Sequence, residues 1–176
     1  GSTTERLVDQ YSSDSPDGTK TIIVFQKPAS VAGTRFLTIE NSGREDDRWI
    51  FLPALGRIRR IAASEGSGSF MGTDFSYDDI SSTERDVDED THSLLGEETL
   101  DGEACWKIES VPKDSSYQYS KMISWIQKDN YISRKIELYD QDGELVKILE
   151  QSAFADIQGR ITPRQTRMTS VNEGTN

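Results

Sequence analysis

The chain reads as one short alternating run after another, each closed by turn chemistry, with no long stretch of helical period. Residues Thr3 to Tyr11 alternate loosely, and Ser12 to Gly18 ends in Ser-Pro-Asp-Gly, a turn. Ile22, Ile23, Val24 and Phe25 follow as an unbroken apolar run, which predicts a strand buried on both faces or covered on one. Strands are also predicted over Thr34 to Glu40, Trp49 to Leu52 and Arg57 to Ile61. The last of these alternates so that Arg57 and Arg59 share one face while Ile58 and Arg60 share the other. Pro53 and the Ala54-Leu55-Gly56 turn separate it from the Trp49 strand.

A Ser/Gly-rich loop then carries a second apolar group, Phe70, Met71, Phe75 and Tyr77, which reads as a lid or plug. Tyr77 to Ser82 predicts a short helix, and Thr83 to Asp90 an exposed acidic loop. From Leu94 the alternation returns. Hairpins are predicted at Asp101-Gly102, Asp129-Asn130, Asp142-Gly143 and Gln158-Gly159, joining strands over Leu94 to Leu100, Glu103 to Val111, Tyr119 to Gln127, Tyr131 to Tyr139, Leu145 to Ala155 and Arg160 to Val171. The expected fold is therefore mainly β, an antiparallel meander of about ten strands.

The segment from Trp49 to Ile80 also carries a resemblance. Phe51-Leu-Pro-Ala-Leu55, the Arg57 to Ile61 run and Ser69-Phe-Met-Gly-Thr-Asp-Phe-Ser-Tyr-Asp-Asp79 resemble the outer-membrane lipoprotein-sorting (LolA/LolB-like) family, and more narrowly its branch associated with RND/MMPL-type lipid exporters. Lys27-Pro28, Gly33-Thr34 and the hairpins after His92 are compatible with it, so that Glu5 to Val171 is covered. The resemblance implies a strongly curved, incomplete and unclosed β-barrel, with short helices or loops covering a concave apolar face that holds acyl chains. It also implies a first helix, which has no counterpart in this sequence. Gly1-Ser2 reads as a tag remnant, so a signal segment and that helix are expected to lie outside the sequence.

Composition narrows the function further. A length of 176 residues predicts a single domain over 1–176. The net charge of −11, with 31 acidic against 20 basic residues, opposes a nucleic-acid partner, which requires a clustered Lys/Arg face. One cysteine, Cys105, excludes an intramolecular disulfide. No apolar run approaches the roughly 20 residues that span a bilayer.

Candidate chemistry is sparse. His92 is the single histidine, no Gly-x-Ser-x-Gly elbow exists, and Ser67 and Ser69 sit in a Gly/Ser linker. Adjacent carboxylates such as Asp78-Asp79 and Glu97-Glu98 would point to opposite faces of a strand. Asp86, Asp88, Asp90 and Glu97 match acidic positions of a calcium loop, but Thr91 replaces its glycine and a solvated acidic loop is the favoured reading. No enzyme, metal or cofactor is expected.

The expected function is a periplasmic carrier that holds the acyl or other apolar part of a lipid or lipoprotein, attached to the outer membrane or working with an RND-type exporter. The alternatives are a non-catalytic envelope sensor or adaptor module and, third, a hydrolase acting through His92. Candidate ligand-binding residues are Trp49, Phe51, Leu52, Phe70, Met71, Phe75, Trp106, Met122 and Trp125, because aromatic and methionine side chains adapt to acyl chains of variable shape. Arg57, Arg59 and Arg60 are candidates for a head group or an acidic partner.

Overall fold

In the computed structural model, residues 3–16, 18–41, 44–81, 85 and 87–171 are described. They form eleven strands and one short α-helix, in two antiparallel sheets, neither of which closes into a barrel. Contacts group the chain into two units, residues 1–83 and 84–176.

The first unit holds β1 (Leu7–Ser15), β2 (Gly18–Lys27), β3 (Arg35–Ile39), β4 (Asp47–Leu52) and β5 (Arg57–Ile61), paired in sequence order. The first hairpin is tighter than its turn chemistry predicts. Strand pairing continues to Ser15 opposite Gly18, whose φ of 123° and close approach to the Glu40 carbonyl leave no space for a side chain. Pro53 starts a single 3-10 turn, and Gly56, in the left-handed region, reverses the chain into β5.

Register divides this sheet into two apolar faces. Ile23 and Phe25 of β2, Phe36 of β3, Ile50 of β4 and Ile61 of β5 share one face and are buried. The chain from Ala62 to Ser81 lies over them. Phe70, 1% exposed, is the centre of that cover, its ring centroid 5.6 Å from Phe25, 5.1 Å from Phe36 and 5.3 Å from Tyr77. Val31 completes the buried cluster, with Leu52, Met71, Phe75, Tyr77 and Ile80 packed against it. The predicted short helix is present as α1 (Tyr77–Ser81), opened by a reciprocal pair of bonds in which Ser76 Oγ accepts from the Asp79 amide and Asp79 accepts from the Ser76 amide. A half-buried ion pair, Arg48 with Asp78, fastens this helix to β4.

The second unit holds β6 (Asp90–Leu100), β7 (Glu103–Pro112), β8 (Lys121–Gln127), β9 (Ser133–Tyr139), β10 (Leu145–Ile157) and β11 (Arg160–Ser170), again paired in sequence order. The predicted Asp-Gly and Gln-Gly turns form as expected, with positive φ at Asp101 and Gly102 and at Gln158 and Gly159. Pro163 is tolerated because β11 is an edge strand. β9 starts two residues later than predicted, because Tyr131 takes a left-handed backbone (φ 60°) and stacks on Trp106 at 5.5 Å. β6 starts earlier, at Asp90, inside the stretch expected to be a loop. Asp90 is buried there and bonds both Nε and Nη2 of Arg85, whose guanidinium lies 4.0 Å over Tyr117.

The cover over the first sheet sets a stability expectation. Phe70→Ala removes the side chain that fills the space between Phe25 and Phe36, and should destabilise the protein by about 3–5 kcal/mol. Urea unfolding monitored by circular dichroism measures this, and a loss below about 1 kcal/mol would show that the Phe70 segment is not part of the core.

Candidate functional site

The second apolar face of the first sheet has no such cover over its centre. Two cross-strand rows build it, one running Ile22, Leu37, Trp49, Arg60 and the other Val24, Arg35, Phe51, Ile58 from β2 to β5. Strand neighbours stand about 4.8 Å apart, so each row extends about 14 Å across the sheet. Ile22, Arg35, Leu37, Trp49, Phe51 and Ile58 line an open groove of about 300 Å³. Ile58, on the edge strand β5, is 67% exposed and Trp49, on β4, is 37% exposed, so that together they form an exposed apolar patch.

Cations border these rings. The Arg35 guanidinium carbon lies 5.7 Å from the Phe51 centroid and that of Arg60 lies 6.0 Å from Trp49. Arg60 is held by Asp47 at 2.7 Å, and Asp47 also accepts from Arg44 at 2.6 Å. Those two bonds, Arg44's first and then Arg60's, lower the Asp47 carboxyl to about 2. Arg35 has no ion pair among the described residues.

The nine apolar candidates do not converge on one surface. Trp49 and Phe51 line the groove, whereas Leu52, Phe70, Met71 and Phe75 belong to the core on the opposite face. Trp106 and Met122 lie in the second unit on one face of its sheet, Trp106 between Tyr131 and Lys128 and Met122 buried opposite Ser110. Trp125 points to the other face of that sheet, 3% exposed, packed with Cys105 and Ile123 under Lys107 at 4.6 Å and Lys135 at 4.4 Å.

The three candidate arginines separate as the alternation predicts. Arg60 faces the groove, while Arg57 and Arg59 belong to the core side. Arg59 bonds Glu65 at 2.6 Å, tethering the 3-10 turn at Ala63–Glu65 under β5. Glu65 in turn is lowered, first by the Ala62 amide and then by Arg59. Sequence reading passed over Ile22, Leu37, Ile58 and Arg35 as lining residues. The unbroken Ile22 to Phe25 run and the Arg-Phe-Leu-Thr-Ile alternation of β3 were the available signals.

The remaining chemical candidates are engaged elsewhere. His92 is held at both ring nitrogens, Nδ1 with Ser110 Oγ at 2.9 Å and Nε2 with the Val87 carbonyl at 3.1 Å. Of the calcium-loop pattern, Asp86 lies outside the described residues, Asp90 holds Arg85, and Glu97 holds Lys128 at 2.6 Å. No cluster of three or more metal-ligating side chains occurs among the described residues.

Solved structures give the fold its relatives. A domain named for outer-membrane lipoprotein sorting, from Vibrio parahaemolyticus, is 33% identical to this chain with a TM-score of 0.84, over 94% of this chain and 71% of that one. The chain belongs to the outer-membrane lipoprotein-sorting, LolA-like family. A DUF1329 family protein from Desulfovibrio piger is 36% identical to this LolA-like chain, with a TM-score of 0.87 over 96% of it and 72% of the relative. A LolA superfamily protein from Nitrosomonas europaea, 22% identical with a TM-score of 0.64 over 94% of the chain and 76% of its own, shares the fold. The matching family model, described as "uncharacterized protein", spans residues 17–176. Among curated proteins, none matches. The family expected from the Trp49 to Asp79 segment is thus the family found; the fold is mainly β and antiparallel, as the strand pattern predicts, and unclosed, as the resemblance implies.

The charge pairing beside the groove predicts an acid titration. Because Asp47 is lowered from 3.8 to about 2 in the folded protein, its favourable contribution is complete above pH 3.8 and is lost as the pH falls toward 2. Carboxyl chemical shifts should give an Asp47 midpoint near 2, rising toward 3.8 in the double variant Arg44→Gln, Arg60→Gln. A wild-type midpoint already near 3.8 would mean that the two arginines do not hold it in solution.

Proposed function

We propose that this LolA-like protein is a periplasmic carrier that seats the acyl or other apolar part of a lipid or lipoprotein in the groove between Ile22 and Ile58. The observation that carries the reading is an apolar groove of about 300 Å³ in a sheet whose other face is already filled. That volume lies at the lower end of the range for small-molecule sites. Burying an acyl chain gains about 0.8 kcal/mol per methylene, so about ten methylenes supply at most about 8 kcal/mol before the cost of association, which sets the tightest Kd near about 1 μM. Such binding is firm enough to shield a chain from water and weak enough to release it.

The relatives support the class of role. One is named for outer-membrane lipoprotein sorting, which supports a role in handling acylated cargo. A carrier needs no catalytic group, and His92, the histidine a hydrolase would use, is held by Ser110 and Val87. No helix among the described residues is long and apolar enough to cross a membrane. In this reading residues 1–176 act as one binding domain, Trp49 and Phe51 touch the chain, and the Phe70 segment stiffens the sheet from behind. An RND-type exporter is the proposed donor or acceptor, and attachment to the outer membrane would put the carrier within reach of its target.

A fluorescent acyl probe tests this directly. The wild-type chain should take it up with micromolar affinity, and Phe51→Asp or Ile58→Asp should weaken uptake at least about tenfold, because either substitution puts a charge in the groove. Both side chains are at least partly exposed, so thermal unfolding should change little and serves as the control. Absence of uptake, or equal uptake by both variants, would rule out the groove as the seat.

A further inference from the structure

We infer that the groove is selective for a single-chain amphiphile with a carboxylate head, and that Arg35 is the residue that receives the head. This rests on the carrier reading above and adds the chemical class of the cargo.

Register places the ionisable side chains on this face. Lys20, Arg35 and Arg60 are the cations of β2, β3 and β5, and Asp9 and Asp47 are the acids of β1 and β4. Asp9 accepts from the Gln26 amide at 2.7 Å, and Asp47 is occupied by Arg44 and Arg60. Lys20 lies one row beyond Ile22, opposite Ser13 and Ile39, and does not line the groove. Arg35 does line it. Its directly paired cross-strand neighbours are the apolar Val24 and Phe51, and Gln26, the next residue along that face of β2, donates to Asp9.

Arg35 is exposed and has no acid partner among the described residues, and unlike the other such cations it lines the groove, so its guanidinium is open to a ligand seated there. A guanidinium resting against a ring keeps its in-plane N–H donors for a ligand, and their fork matches the two oxygens of a carboxylate. The groove's volume fits one chain of modest length. One cation and one narrow apolar trough together describe a fatty-acid anion.

The test compares ligands that share a tail. Dodecanoate, dodecanol and dodecyl phosphate, each below its aggregation limit, are titrated calorimetrically into the full chain at pH 7.5 and low salt. Dodecanoate should bind at least about tenfold more tightly than dodecanol. Arg35→Gln should abolish that difference by weakening dodecanoate much more than dodecanol, and Arg35→Lys should retain part of it. Equal binding of acid and alcohol by the wild-type chain would overturn the assignment of Arg35 and leave the carrier standing. Tighter binding of the phosphate than of the carboxylate would overturn the choice of head group. If none of the three binds, the groove is not a seat for a chain, and the carrier reading falls with the inference.

Discussion

A sheet that is apolar on both faces needs two coverings, and in the first unit the chain is seen to supply one. Ile22 to Phe25 sets the condition: four consecutive apolar residues in a strand put Ile23 and Phe25 on one side and Ile22 and Val24 on the other. The segment from Ala62 to Ser81 fills the first side through Phe70 and is fastened there by Arg48 with Asp78 and by Arg59 with Glu65. These attachments use the core-facing residues of β4 and β5, so the other side of the same strands is left with Trp49, Phe51 and Ile58. The groove is therefore a consequence of how the core is closed.

An open apolar groove on a sheet is also a hazard, because it invites association with other chains. The cations that border it lessen that risk. Arg60 and Arg35 bring their guanidinium groups over Trp49 and Phe51, which sets charge beside part of each ring. Because all the lining residues come from hydrogen-bonded strands, the groove is held open without a ligand and its walls need little reordering on binding.

Much of this was legible in the sequence, and the rest was hidden for physical reasons. Turn residues located the hairpins at Asp101-Gly102 and Gln158-Gly159 because the left-handed backbone there admits few residue types. Alternation separated Arg57 and Arg59 from Ile58 and Arg60, and it also separates Met122 from Trp125, whose odd spacing on β8 puts them on opposite faces. Grouping those two as one lining disregarded that parity. Alternation does not say what will lie over a face. Phe70, Met71 and Phe75 pack over the core-facing side of the first sheet, a placement that the linker's composition does not reveal because it leaves open which side of the sheet the chain crosses. The lateness of β9 is a similar case, decided by the stacking of Tyr131 on Trp106.

The second unit supplies a comparison that separates a covered aromatic from an available one. Trp125, like Trp49, lies beside cations on a sheet face, but its two lysines approach from neighbouring strands and each has an acid of its own, Lys107 with Glu98 at 3.5 Å and Lys135 with Glu137 at 2.7 Å. The cations are thereby fixed over the ring, and Trp125 is left only 3% exposed. Tyr139 shares that network, its hydroxyl pushed up to about 12 by burial and by the Glu137 carboxylate it donates to. At Trp49 one cation is fixed and the ring remains 37% exposed, and on the adjacent β3, two residues from Trp49's partner Leu37, the guanidinium of Arg35 has no acid among the described residues. Aromatic and basic side chains by themselves therefore do not mark a binding surface. Whether each cation already has its counter-charge decides between a closed patch of structure and a groove still equipped to take an anion with a tail.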